Sequence, residues 1–285
     1  MSSDAKSGYE AQLACQATES EHLRSIASRA FIASGRAILL VFLLGAWAFI
    51  SGRFAQRQFV SDPAEVLRAL AELISSGTLW PNLAQTVLEV GAGYGIGAGL
   101  AILAAMALGV LETAQEVLRP FLTAIYSIPK ITLAPLIIMW FGLGTAPKII
   151  LAAAFVFFVV FMNTIAGIYT ISPSLIDVVR VMSAGRFALI WKVTFPSALP
   201  YLFSGLRLAI PESLLGAVVG EFISANAGLG YLVNSAVQQF NTAATLAAIM
   251  TLLLIVVVMD VSLNIAERRM LRWQTPSDGL TRNLS

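Results

Sequence analysis

Cysteine and histidine each occur once in 285 residues, as Cys15 and His22, and charged side chains make up only 12% of the chain. One cysteine and one histidine exclude an intrachain disulfide, a haem attachment site and a His/Cys metal cluster, so no metal and no cofactor is expected. The lysines Lys6, Lys130, Lys148 and Lys192 all lack the G-x-x-x-x-G-K-[ST] frame that cradles nucleotide phosphates. ATP hydrolysis by that route is excluded, and no catalytic residue is assigned. Cys15 follows QLA without a preceding apolar stretch, which argues against a lipoprotein; the polar, mixed-charge first 30 residues read as a tail rather than a secretory signal. Nucleic acid is not an expected partner.

What fills the chain instead is apolar residues, at 58%. A soluble domain of this length carries roughly 25% charged residues, so the bilayer is the expected solvent and membrane lipid an expected partner. A spanning helix needs about 20 residues, and the apolar runs place six, near 34–51, 85–110, 119–142, 148–170, 199–223 and 243–265. The fold class is therefore all-α, a polytopic membrane protein with about six transmembrane helices. Lys and Arg set its orientation. With a cytoplasmic N-terminus, twelve lie inside (Lys6, Arg24, Arg29, Arg36, Arg119, Arg180, Arg186, Lys192, Arg268, Arg269, Arg272 and Arg282), against Arg53, Arg57, Arg68 and Lys148 outside. Both termini are expected on the cytoplasmic side.

This gives a cytoplasmic tail over 1–33, a first span and outer helix over 34–80, a transmembrane domain over 81–270 and a second tail over 271–285. In the outer segment SDPAEVLRALAELISSG, Asp62 suits the N-cap and Pro63 the first helical position. Val66, Leu67, Leu70, Leu73 and Ile74 recur on one face, which predicts an interfacial helix.

The stretch DVVRVMSAGRFALIWKVTFPSALP, Asp177 to Pro200, is polar enough to leave a membrane yet lies between two apolar blocks. Leu175, Ile176, Val179 and Met182 recur at helical spacing while Asp177, Arg180 and Ser183 share another face. Ser172 and Pro173 suit the helix start, and Pro196 and Pro200 are expected to stop any helix before the next apolar run. The segment resembles the EAA loop of membrane subunits of ATP-binding cassette importers, a pattern of E-A-A, three residues, Gly, nine residues, I-x-L-P. Asp177 stands at the Glu, Val178 and Val179 at the two Ala, Ser183 at the Gly, and Val193, Phe195 and Pro196 at I-x-L-P. Asp177 keeps the charge; Ser183 brings a Cβ that a helical turn accepts and a left-handed turn resists.

Residues 127–149 and 205–233 are similar to the matching stretches of permeases for nitrate, sulfonate, taurine and bicarbonate, a group that includes transporters of thiamine-precursor pyrimidines. The resemblance covers about residues 80–273. It implies the type I importer permease fold in the bacterial inner membrane, a homodimer with a second copy, a dimeric cytoplasmic ATP-binding subunit and a periplasmic or surface-anchored solute-binding protein. The cytoplasmic loop 172–197 would dock on the ATPase through Leu175, Asp177, Val178, Val179, Arg180, Met182, Ser183 and Arg186.

Six ionisable residues lie at membrane depth, where an unpaired charge costs at least about 2.5–3.5 kcal/mol. Arg207 and Asp260 fall near helix ends and read as snorkelling or structurally paired. Glu89, Lys130, Glu212 and Glu221 are the candidates for the translocation pathway. Lys130, between Pro129 and Pro135 in a helix expected to kink, either faces the passage or pairs with Glu212 or Glu89; Glu221 lines the passage or anchors the following loop. A donor-rich passage around Lys130 suits an anion such as a sulfonate, nitrate, taurine or bicarbonate. The alternatives are a pyrimidine importer of the same class and an ion-coupled secondary transporter using the intramembrane carboxylates. Gly91, Gly93, Gly95, Gly97 and Gly99 read as helix-packing positions within the subunit, and Phe155, Phe157, Phe158 and Phe161 as packing or lipid-facing residues.

Overall fold

A computed structural model of the chain describes residues 34, 35, 38, 39, 41–51, 61–109, 117, 120, 121, 124, 128–172, 174, 175, 181, 185, 189–224 and 226–271. Every regular element among them is helical, and the chain divides into two compact units, Met1–Glu65 and Val66–Ser285.

In the first unit, the apolar helix α1 (Val41–Ile50) lies within the expected first span. The indole Nε1–H of Trp47 donates to the Ser61 carbonyl at 3.0 Å. The start of α2 (Pro63–Ser75) follows at once, and its cap is the one the sequence predicts. Asp62 Oδ1 accepts from the Ala64 N–H at 3.2 Å, while Glu65 Oε2 accepts from the Asp62 N–H at 3.4 Å and from Ser61 Oγ at 3.0 Å. This reciprocal arrangement satisfies donors a helix start would otherwise leave bare.

In the second unit α2 continues with Leu70 and Leu73 packed on Leu79, Leu229, Val233, Ala248, Leu252 and Ile255. Leu67 and Ile74, expected on the same face, are 61% and 44% exposed. The buried stripe is narrower than the periodicity suggested, because positions 66, 70 and 73 follow one line along the helix while 67 and 74 flank it.

Among the described residues four helices are long and apolar enough to cross a membrane: α3 (Leu79–Gly109), α5 (Thr145–Tyr169), α6 (Phe195–Ser224) and α8 (Thr242–Met270). They coincide with the expected spans except that α3 and α6 start earlier. The third expected span, 119–142, is broken rather than kinked. Pro129 is extended (ψ 100°), a 3-10 turn runs over Lys130–Leu133, and α4 (Ala134–Phe141) follows with Pro135 in its first turn. Proline disfavours helical geometry in the residue before it and offers no N–H. Lys130 therefore opens a helical segment instead of sitting in the middle of one. Residues 119–127 lie almost wholly outside the described residues.

The expectation that Pro196 and Pro200 stop a helix is corrected: α6 runs through both and through Pro211. Pro196 sits in the first turn, where its missing N–H removes nothing, directly after a π-helical turn, Ile190–Thr194. The later prolines each lose one backbone hydrogen bond, which the burial of Leu202, Phe203, Ala209 and Ile210 outweighs. A short helix, α7 (Leu229–Gln238), links α6 to α8.

The main packing is of α5 on α6 and on α3, and it depends on small residues. A Cβ added at Gly93 would come within 2.5 Å of Ala152 Cβ, one at Gly97 within 2.4 Å of the Ala153 carbonyl oxygen, and one at Gly216 within 2.7 Å of Ala152 Cα. Without a hydrophobic force between helices in lipid, such close approach and its dispersion gain hold the bundle. A Cβ added at Gly91, Gly95 or Gly99, on the other side of α3, would meet nothing within 4 Å among the described residues. Phe155 and Phe161 are buried, and Phe157 stacks on Phe161 at 5.6 Å between centroids. Leu100, Leu103, Leu253 and Leu254 face outward, as a hydrocarbon solvent allows.

Candidate functional site

Among the described residues of the second unit, three groups of charged side chains link the helices. In the first, Lys130 Nζ lies 3.2 Å from Glu212 Oε2, with 16% and 33% of the side chains exposed. The 3-10 turn after Pro129 carries the lysine and the middle of α6 the glutamate. The ammonium also lies 5.6 Å from the centroid of the Phe155 ring, within cation–π range. Of the partners open to Lys130 in the sequence, the fold brings it Glu212 and not Glu89.

The second group is sealed. Lys148 Nζ donates to Glu89 Oε1 at 2.5 Å, the side chains being 4% and 0% exposed. Gln85 Nε2 donates to the same oxygen at 2.6 Å and to Thr145 Oγ1 at 2.9 Å. Among the described residues Glu89 Oε2 has no hydrogen-bond partner. Beside it, Glu221 Oε1 accepts from Thr86 Oγ1 at 2.6 Å and Oε2 from the Gly230 N–H at 2.5 Å. Thr86 Oγ1 in turn accepts from the Leu229 N–H at 2.8 Å, and Asn82 Oδ1 from the Gly228 N–H at 2.7 Å. The first N–H groups of α7 thus bond to side chains of α3 and α6, where a helix start favours negative charge. Gly228, at φ 120°, permits this, since a Cβ there would overlap the Glu221 carboxylate.

In the third group, on the flank of α6 and α8, Arg207 Nη2 lies 2.6 Å from Glu267 Oε2 and Nε 3.4 Å from Asp260 Oδ1. Arg207 and Asp260 are about half exposed, at 47% and 46%.

Lys148 departs from its expected place as an outside loop charge: it is 3% exposed in the first turn of α5. An intramembrane carboxylate at Glu89 required a cation, and Lys148 was within reach only once α3 and α5 packed at the Gly93 contact. Thr86, Asn82, Gln85 and the glycines 228 and 230 were not singled out in the sequence. The signal that could have found them is the i, i+3, i+4, i+7 polar line Asn82, Gln85, Thr86, Glu89 on an otherwise apolar helix.

Of the loop residues, Leu175 is described: it is 45% exposed and its N–H donates to the Ser172 carbonyl at 3.0 Å. Asp177, Val178, Val179, Arg180, Met182, Ser183 and Arg186 lie outside the described residues. Among the described residues no group of three or more His, Cys, Asp or Glu side chains is placed to hold a metal ion. The arrangement is one of buried and half-buried ion pairs between spans, suited to helices that must hold, or exchange, defined positions.

Residues 97–272 match the family described as binding-protein-dependent transport system inner membrane component. The riboflavin transport system permease protein RibX of Chloroflexus aurantiacus is 33% identical over 258 residues, 90% of this chain and 96% of its own length. The taurine transport system permease protein TauC of Escherichia coli is 28% identical over 240 residues, 82% of this chain and 87% of its own. Among solved structures, the MetNI methionine ABC transporter in an inward-facing conformation matches with a TM-score of 0.51 at 18% identity, over 67% of this chain and 94% of that chain. That last likeness concerns the fold alone, the type I importer permease fold. Spanning helices, matched family and extent of the relatives agree, and the chain belongs to the binding-protein-dependent transport system inner membrane components as a multi-pass permease subunit of an ATP-binding cassette importer.

Proposed function

We propose that this permease moves a small solute inward by alternating access, as one of two identical copies, when a dimeric cytoplasmic ATP-binding subunit closes on the loop 172–197. A soluble binding protein delivers the solute from the opposite side, and both termini face the cytoplasm. Contacts that differ between the inward-facing and outward-facing arrangements carry the coupling. In the loop, Leu175, Val179 and Met182 bury an apolar face against the ATPase, while Asp177 and Arg180 position it.

The passage runs beside Lys130 and Glu212. The observation that supports this is their partial exposure at the helix break after Pro129, in contrast to the sealed Glu89–Lys148 pair. Glu89 and Glu221 then belong to the frame rather than the passage. Lys130 suits a small anion of the sulfonate, taurine, nitrate or bicarbonate kind, in keeping with the taurine relative. A second reading, a flat heterocycle such as a pyrimidine or flavin, is favoured by the neutralising Glu212 and by the riboflavin relative. Competition experiments on uptake decide between them: with the cognate binding protein and ATPase reconstituted, excess taurine and alkanesulfonates should suppress uptake under the first reading, and excess flavins and pyrimidines under the second. Uptake that survives ATP depletion and dies with an uncoupler would overturn both.

A further inference from the structure

Three charged side chains meet in the sealed group: Glu89 from α3, Lys148 from α5 and Glu221 from α6; α7 brings none. Two carboxylates and one ammonium leave one negative charge too many in a site closed to solvent, with Glu89 and Glu221 0% and 1% exposed. The hydrogen bonds show where the surplus is met. Glu221 has donors at both oxygens, Thr86 and the Gly230 N–H, as an ionised carboxylate requires. Glu89 has two donors at Oε1, Lys148 and Gln85, and none at Oε2. Thr86, one turn before Glu89 on α3, holds Glu221 beside it, and two ionised carboxylates held side by side repel.

We infer that Glu89 and Glu221 form a proton-binding site that holds one proton between the two carboxyl groups. That proton satisfies the orphaned oxygen, gives the carboxyl–carboxylate pair the arrangement of an acid dyad and balances the group to zero net charge with Lys148. It also ties α3 to the corner where α6 meets α7. Separation of α3 from that corner would expose the proton, so this corner is a pH-sensitive latch in the bundle. The inference rests on these side chains alone and holds whatever solute is carried.

The charge balance makes a specific demand of variants. Glu89→Gln leaves Glu221 as the one anion that balances Lys148, and Glu221→Gln leaves Glu89 in that role. Each single variant should insert and fold, whereas Glu89→Gln with Glu221→Gln strands Lys148 and should fail to accumulate. The direct measurement is infrared spectroscopy of the full chain in lipid nanodiscs at neutral pH. Spectra of wild type minus Glu89→Gln should contain the carbonyl stretch of a protonated carboxylic acid, shifted in D2O, and so should wild type minus Glu221→Gln. Absence of that band from both difference spectra would overturn the site, and the wild-type spectrum tests it even if a variant does not fold.

Discussion

Lys148 Nζ and Glu89 Oε1 join α5 to α3 at a point where neither side chain reaches solvent. The pair stands one turn from the Gly93 contact that lets the two helices approach. Removing one member of a buried pair leaves an uncompensated charge, worth about 3–5 kcal/mol, while half-exposed pairs contribute roughly 0–1 kcal/mol. Lys148→Met should therefore lower the melting temperature of the solubilised protein sharply, and Asp260→Asn, which touches the exposed Arg207 group, only slightly. Equal shifts in the two variants would show that the Glu89 site is wet.

The glycines of α3 divide into two lines with opposite expected responses. Gly97→Ala places a methyl 2.4 Å from a backbone oxygen of α5, which cannot give way without parting the helices; overpacking of this kind costs about 1–3 kcal/mol. Gly95→Ala meets nothing within 4 Å and should be neutral or stabilising by up to about 1 kcal/mol, as alanine is the better helix former. Thermal melting of the two variants in the same detergent measures the difference. A destabilised Gly95→Ala would reveal a close neighbour on that face, such as a second copy of the chain.

If Lys130 lines the passage, Lys130→Met should lower uptake at least tenfold while insertion and assembly with the ATPase stay intact, since the group is partly solvated and its loss strands no fully buried charge. Glu212→Gln separates the two substrate readings: freeing Lys130 from its partner should help an anion and leave a neutral heterocycle unaided. Uptake assays in proteoliposomes give both answers. Normal uptake by Lys130→Met would remove this residue from the passage.

On the loop, three apolar side chains can hide enough surface for several kcal/mol at roughly 25 cal/mol per Å² before ordering costs. In the proposed docking Asp177 and Arg180 would add charge-assisted hydrogen bonds of about 1.5–3 kcal/mol each where shielded. Asp177→Arg and Val179→Asp should each abolish co-purification of the ATPase without preventing membrane insertion. A cysteine at Ser183, in a chain lacking Cys15, should resist an impermeant reagent applied outside intact cells, whereas one at Asn226 should react. Full substrate-stimulated hydrolysis in both loop variants, or outside labelling at position 183, would refute the docking role.

Much of the fold was legible because in a bilayer each span must satisfy its own backbone. Spans then show as long apolar runs with soft ends, and the cap of α2 is written in the SDPAE segment. Prolines misled in both directions. Pro196 and Pro200 were expected to stop a helix that runs through them, while the helix expected to kink around Pro129 and Pro135 is broken there. The difference lies in context: α6 is packed on two neighbours along its length, whereas the 3-10 turn that leads into α4 follows the extended Pro129.

The sequence by itself determined the solvent, four of the spans and the likeness to importer permeases, since these depend on composition and on spacing along one chain. It also marked Glu89, Lys130, Glu212 and Glu221 as costly residues that must find partners. Which partner each found was decided only in three dimensions. Glu89 and Lys148 are 59 residues apart, and Lys130 and Glu212 82 apart; no local rule of helix or turn links positions so distant. Their meeting depends on how closely α3, α5 and α6 approach, and that distance is set by glycines whose use on one face of α3 and not on the other appears only when the helices are packed.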